Sequence, residues 1–340
     1  MNKVLHFITS KNQMIDAILI HSETHNAFYM CGCCSKISKI SDESNYHGER
    51  APKITLFRII RNFYTFKNFI GNENIILVIS QDIGPMEQSL ALYAKKQKIR
   101  TILLPDGFVH RHELYKRNVL KALATLIIGR MYGLRILRAS YWGCSKPDVV
   151  FCLNEKDREY FSKHASECLV TGSPRLEYEA SKVKAVTNQD QLLVCSTPIW
   201  EAHNYSRSAI LDFYSELLKT SHDLSSYLGC TTFSIKLHPG EIGDRRVPDF
   251  LSPFICTDSV VEAISKSRYL LSPLSTVLVE SALNGRVTYI WKNPRFFSTS
   301  NDFEIVNANV VTDVDEIALG APKQDLRAIT EIRKYFRYQN

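Results

Sequence analysis

Short runs of branched and aromatic side chains recur along this chain, each followed by a stretch in which apolar residues return every three or four positions. The first kind of run predicts buried strands and the second predicts helices laid over them. In the first half, strands are expected at Lys3–Thr9, Ala27–Cys31, Asn74–Ser80, Arg100–Leu104, Pro147–Leu153 and Glu167–Thr171. Helices are expected at Lys11–His21, Ile54–Ile70, Pro85–Lys98 and Glu155–His164, with residues 35–55 as a loop. Residues 176–190 are polar and lack apolar periodicity, which predicts a linker. The alternation then restarts, with strands at Gln191–Cys195, Phe233–Leu237, Phe254–Cys256, Tyr269–Leu271 and Val287–Trp291. Its helices are Ser206–Thr220, Ser259–Lys266 and Val277–Leu283, and a last helical pattern covers Gln324–Tyr338.

Strands that alternate with helices imply parallel sheets covered on both faces. The expectation is therefore two doubly wound α/β domains with a cleft between them. Residues 1–180 form the first and 190–322 the second, and a terminal helix at 323–340 packs back on the first. A length of 340 residues fits two domains rather than one.

Composition narrows the class only a little. A formal net charge of +7 favours anionic partners, which nucleotide-sugars, phospholipid surfaces and nucleic acid all satisfy. Nine cysteines, several inside apolar runs and with no second ligand pair near Cys31-Gly-Cys-Cys34, read as reduced buried thiols in a cytoplasmic protein. No apolar stretch reaches the length of a membrane span, and the first residues do not form a signal peptide. Segment 114–139 carries Lys116, Arg117, Lys121, Arg130, Arg135 and Arg138 among leucines and isoleucines, with no acid. It reads as a core-facing helix with a basic outer side, as a contact to a membrane surface or lipid-linked acceptor, or as a nucleic-acid contact.

The candidate chemistry sits where strands end. The stretch FSIKLHPGE stops its strand at His238-Pro239, because proline cannot extend a ladder. The later run ends at Ser275-Thr276, where a helix begins. An imidazole on one corner and hydroxyls at a helix start on another make a phosphate clamp that needs no metal. Each feature has a plainer reading: a strand-end histidine satisfying a carbonyl, and a simple helix cap. In the first half, Asp106 follows a buried strand and precedes Gly107, so it is placed as a general base or merely as a turn residue. Glu262, near a helix start, is expected to hold ribose hydroxyls or to cap its helix. Glu280 is the alternative for the ribose, Ser196 ends the first strand of the second domain, and Glu241 is read as cleft-lining or exposed. His110 and Arg111 follow Asp106 closely enough to meet an anionic group.

Asp106-Gly107, His238-Pro239 and Ser275-Thr276, in that order, resemble the motif set of the bacterial GT-B-fold sialyltransferases. The N-terminal FITSKNQMIDAI run is similar too. The resemblance implies a GT-B architecture and metal-independent, inverting transfer of sialic acid from CMP-sialic acid to a galactose-type hydroxyl of a lipid-linked bacterial surface glycan. It implies Asp106 as the base, with Gly107, His110 and Arg111 near the acceptor or donor. It implies His238, with Pro239, on the CMP phosphate as donor or acid, Ser275 and Thr276 on the same phosphate, and Glu262 and Ser196 on the ribose and cytidine. It further implies no cofactor, no nucleic-acid partner, and a location at the inner face of the bacterial inner membrane. The family has an acidic residue before its Asp-Gly where this chain has Pro105. Transferases using CMP-Kdo share similar features, and the TGSPR run at 171–175 is similar to a corner of CDP-glycerol glycerophosphotransferases. A UDP-sugar epimerase and a non-catalytic basic membrane- or polymer-binding protein are the remaining alternatives.

Overall fold

The computed structural model describes residues 2–21, 26–40, 55–71, 74–105, 127, 129–134, 141–183, 190–199, 205–273, 275–293, 295–296 and 309–311. These residues form an α/β protein of two compact units that divide between Arg175 and Leu176. The terminal helix expected at 323–340 lies outside the described residues.

The first unit is a seven-stranded sheet in the order β3-β2-β1-β4-β5-β6-β7. Its strands are β1 (Lys3–Ile8), β2 (Ala27–Cys31), β3 (Ile37–Lys39), β4 (Ile75–Ile79), β5 (Arg100–Leu103), β6 (Val149–Cys152) and β7 (Glu167–Val170). All neighbours are parallel except β2 and β3. Every side chain of β4 is buried, as expected of a strand covered on both sides. Alternate residues divide between the faces. Leu5, Phe7, Leu77 and Ile79 pack with Phe63 and Phe66 of α2 (Leu56–Ile70) and Leu90 of α3 (Pro85–Lys96). Val4, Ile76 and Val78 pack with Ile20 of α1 (Lys11–His21) on the other face.

The second unit is a five-stranded parallel sheet in the order β12-β11-β10-β8-β9. Its strands are β8 (Gln191–Cys195), β9 (Thr232–Lys236), β10 (Tyr269–Ser272), β11 (Val287–Trp291) and β12 (Asn309–Val311). The chain leaves β8 for β9 on one side and returns to β10 on the other. The strand order therefore reverses between β8 and β10, the place where open parallel sheets leave a crevice at their carboxyl edge.

Four departures from expectation have local causes. The strand expected at Phe254–Cys256 is reduced to one bridge between Ile255 and Ile235, because Asp249–Phe254, with Pro253 inside, coils as a 3-10 helix just ahead of it. Residues 37–39 form the edge strand β3, held by pairing to β2 rather than by any apolar period. The expected linker begins with a helix, Pro174–Lys182, whose apolar face is little more than Leu176 and Ala180. The helix expected at Ser206–Thr220 continues to Tyr227, because Leu224 is buried against the sheet and overrides the weak propensity of the serines around it.

Candidate functional site

The second unit gathers the predicted residues along one edge. β9, β8 and β10 are adjacent and parallel, so their carboxyl ends lie side by side. Ser196 is the first residue after β8, His238 follows β9 by two positions, and Ser275 follows β10 by three. Stitching bonds align the ends: Ser272 Oγ donates to the Cys195 carbonyl at 2.9 Å, and Ser196 N–H donates to the Lys236 carbonyl at 3.0 Å. Sequence spacing alone did not reveal that Ser196 stands between the other two.

Glu241, expected to be cleft-lining or exposed, is instead fully buried. Its carboxylate accepts from Tyr214 Oη at 2.5 Å, from Ser196 Oγ, and from the His238 N–H at 2.6 Å. Tyr214 lies on the Arg207–Tyr227 helix and is itself fully buried. Burial, with the Glu241 carboxylate second, drives the Tyr214 hydroxyl far above its ordinary pKa, so it stays a donor. One carboxylate thus ties the helix to the ends of β8 and β9. A lone Glu in HPGE gives no hint of this, because the donors come from positions 27 and 45 residues away.

The His238 loop closes on itself. Gly240 N–H donates to His238 Nδ1 at 3.1 Å, and Glu241 N–H donates to the His238 carbonyl at 2.8 Å. The His238 side chain is exposed at the end of its strand.

Ser275 and Thr276 open the helix Val277–Leu283. Thr276 makes no side-chain capping bond, and Ser275 Oγ accepts from Val277 N–H at 3.3 Å. Glu280 on this helix is buried, and its charge acts on Cys195 at the end of β8. Burial first, and Glu280 next, push the Cys195 thiol well above the usual range.

Glu262 is engaged by its own helix. It is exposed in the helix Val260–Lys266, which packs against β8 and follows Ile255, bridged to Ile235 of β9. Its carboxylate accepts from Ser259 N–H at 3.0 Å and Ser259 Oγ at 2.8 Å, while Ser259 Oγ accepts from Glu262 N–H. This reciprocal pair is a capping box. The Ser259 backbone bond, more than any other contact, lowers the Glu262 pKa.

Asp106, Gly107, His110 and Arg111 lie outside the described residues, as does most of 114–139. At the carboxyl edge of the first unit, Asp82 follows β4 and is buried, accepting from Gly143 N–H, Ser145 N–H and Ser145 Oγ. These bonds pin the 143–145 segment, and burial raises the Asp82 pKa.

All nine cysteines are free thiols, with Cys31, Cys144, Cys152 and Cys195 buried and Cys34 exposed. Among the described residues, no group of three or more His, Cys, Asp or Glu is placed to hold a metal ion, and no helix is long and apolar enough to cross a membrane.

No family model and no curated protein sequence matches the chain. Solved structures do match in three dimensions. The S. aureus MnaA–UDP co-structure aligns with a TM-score of 0.58 at 10% identity, covering 100% of this chain and 97% of that one. Methanocaldococcus jannaschii UDP-GlcNAc 2-epimerase, in complex with UDP-GlcNAc and UDP, aligns at 0.56 with 11% identity, covering 99% and 100%. A histidine-to-alanine variant of the wall teichoic acid polymerase TagF aligns at 0.54 with 11% identity, covering 99% and 88%. At these identities the likeness defines the fold: the chain is a GT-B-type α/β protein built of two Rossmann-like units.

Proposed function

We propose that the chain is a nucleotide-dependent transferase that grips its donor's phosphate at the carboxyl edge of the β9-β8-β10 strands. The observation that carries this reading is the convergence of His238 and Ser275/Thr276 on either side of Ser196, at the point where the strand order reverses. His238 offers a donor from an exposed corner, and Ser275 and Thr276 offer hydroxyls not consumed by strong caps. Donors fixed where charge grows on a leaving phosphate lower the barrier without reorganising. Glu280 is the better-placed carboxylate for a ribose, since Glu262 serves its own helix.

In the finer reading, the donor is CMP-sialic acid and the acceptor is a galactose-type hydroxyl on a lipid-linked surface glycan. The ordered Asp-Gly, His-Pro and Ser-Thr motifs support it. Asp106 is then the base that removes the acceptor proton. CMP-Kdo and CDP-glycerol remain alternative donors, each releasing CMP, the first by displacement at the sugar carbon and the second by displacement at phosphorus. A second reading, a UDP-sugar enzyme of the epimerase kind, draws support from fold likeness to proteins solved with UDP.

Thermal unfolding with CMP, CDP, UDP and GDP, without metal, tests the proposal. A nucleotide at about 100 times its Kd adds roughly 2.7 kcal/mol to stability. Stabilisation by CMP that weakens in His238→Ala supports the CMP-sugar clamp. Preference for UDP moves the reading to the epimerase kind. No response to any nucleotide removes the proposal and favours a non-catalytic protein of this fold.

A further inference from the structure

The loop after β9 constrains which nitrogen of His238 carries a proton. Gly240 N–H points at His238 Nδ1 from 3.1 Å. A backbone amide only donates, so Nδ1 presents its lone pair, and the neutral ring then keeps its single proton on Nε2. The loop cannot easily relax, because His238 N–H is anchored to Glu241 Oε2 at 2.6 Å and Glu241 N–H closes back on the His238 carbonyl at 2.8 Å. Glu241 is itself anchored, fully buried under the Tyr214 and Ser196 hydroxyls.

We infer that Glu241 is a positioning residue that clamps residues 238–241 so that His238 is presented as the neutral Nε2–H tautomer, a hydrogen-bond donor rather than a proton donor. The ligand assigned to that donor rests on the proposed function; the tautomer does not.

The chemistry separates the two roles. A general acid begins as imidazolium, with protons on both nitrogens. A proton on Nδ1 would face the Gly240 N–H, exchanging a hydrogen bond for a contact between two donors. The neutral tautomer keeps that bond and leaves the ring's single proton on Nε2. In the proposed transfer, the acceptor oxygen forms a bond to the sugar carbon while the bond from that carbon to the phosphate oxygen breaks. The electron pair leaves on the phosphate oxygen, and the acceptor's proton passes to the general base of the proposed reaction. A phosphate oxyanion with a second pKa near 6 leaves without being protonated. The balance is complete with no proton from His238, and a fixed N–H at the leaving oxygen supplies the stabilisation.

The tautomer is readable without any substrate. The chain is labelled with 15N-histidine, and long-range proton–nitrogen spectra are taken at neutral pH. The signal set missing from His238→Gln belongs to His238. One protonated nitrogen at Nε2 and one bare nitrogen at Nδ1 is the expected result. The reverse pattern, or two protonated nitrogens, overturns the inference. In Glu241→Gln, which keeps the size of the side chain, the His238 pattern is expected to shift toward a mixture of tautomers. An unchanged pattern in both Glu241→Gln and Tyr214→Phe removes Glu241 from the positioning role.

A second arm uses CMP affinity. The amide nitrogen of Gln reaches where Nε2 stands, whereas that of Asn reaches only as far as Nδ1. His238→Gln is expected to bind within about tenfold of wild type, with His238→Asn and His238→Ala both losing more than that. Equal loss in Gln and Ala overturns the donor role. If the expected tautomer is seen but wild type binds none of CMP, CDP, UDP and GDP, the tautomer stands and the phosphate reading fails.

Discussion

The backbone N–H of His238 rests on the buried carboxylate of Glu241 at 2.6 Å. An exposed candidate in the second unit is thereby held by a fully buried carboxylate. A group that must meet a ligand cannot be packed rigid by the ligand's own pocket, so its rigidity comes from behind. Here it comes from a helix and two strand ends converging on one side chain.

Tyr214→Phe removes one of the donors to that carboxylate while leaving the ring packed. A hydrogen bond to a charged group is worth about 1.5–3 kcal/mol. Urea unfolding is expected to show a loss of that order at neutral pH. A change below about 0.5 kcal/mol would mean that Glu241 is not held as described.

Ser275→Ala combined with Thr276→Ala removes hydroxyls that contribute little to the helix they begin. The free protein should therefore unfold within about 0.5 kcal/mol of wild type, the usual range for substitutions away from structural features. Its affinity for CMP, measured by calorimetry, is expected to fall about tenfold or more, in keeping with lost bonds to a charged group. Unchanged affinity would take these residues out of the phosphate site.

The two glutamates make opposite predictions. Glu262→Ala breaks a capping box and should lower the unfolding midpoint, with nucleotide affinity unchanged. Glu280→Gln should retain the fold and weaken nucleotide binding. The reverse outcome would return the ribose to Glu262.

His6, buried in β1 with its ring 5.0 Å from that of His21, predicts acid sensitivity in the first unit. Burial first, and His21 next, hold its pKa well below 6.5. The folded chain keeps this ring neutral while the unfolded chain protonates it near pH 6.5. Stability from this group is complete above that value and falls as pH drops below it, by about 1.4 kcal/mol per pH unit. Unfolding midpoints between pH 7.5 and 5 test this, and His6→Leu should flatten the slope. An equal slope in the variant would assign the acid sensitivity elsewhere.

Much of the secondary structure was legible because each half of the chain writes its strands as compact apolar runs. Lys11–His21, Gln191–Cys195, Val277–Leu283 and Val287–Trp291 match their expected bounds. A strand buried on both faces has no polar alternation to blur it, and β4 is such a strand. The missed pieces, β3, β12 and the Pro174–Lys182 helix, are short or carry few apolar residues, and the two edge strands owe their form to the strands they pair with.

The site divides along the same line. By itself the sequence determined the strand-ending proline at 239, the hydroxyl pair at 275–276 and the helix they open, since these are local consequences of backbone geometry and propensity. Only the tertiary structure decided that β8 lies between β9 and β10, which brings Ser196 between His238 and Ser275. It also decided that Glu241 is a buried anchor while Glu262 caps its own helix. Both glutamates stand three residues after a polar residue that they bond. Burial and strand order separate them, and both arise from pairing and packing between segments far apart in the chain.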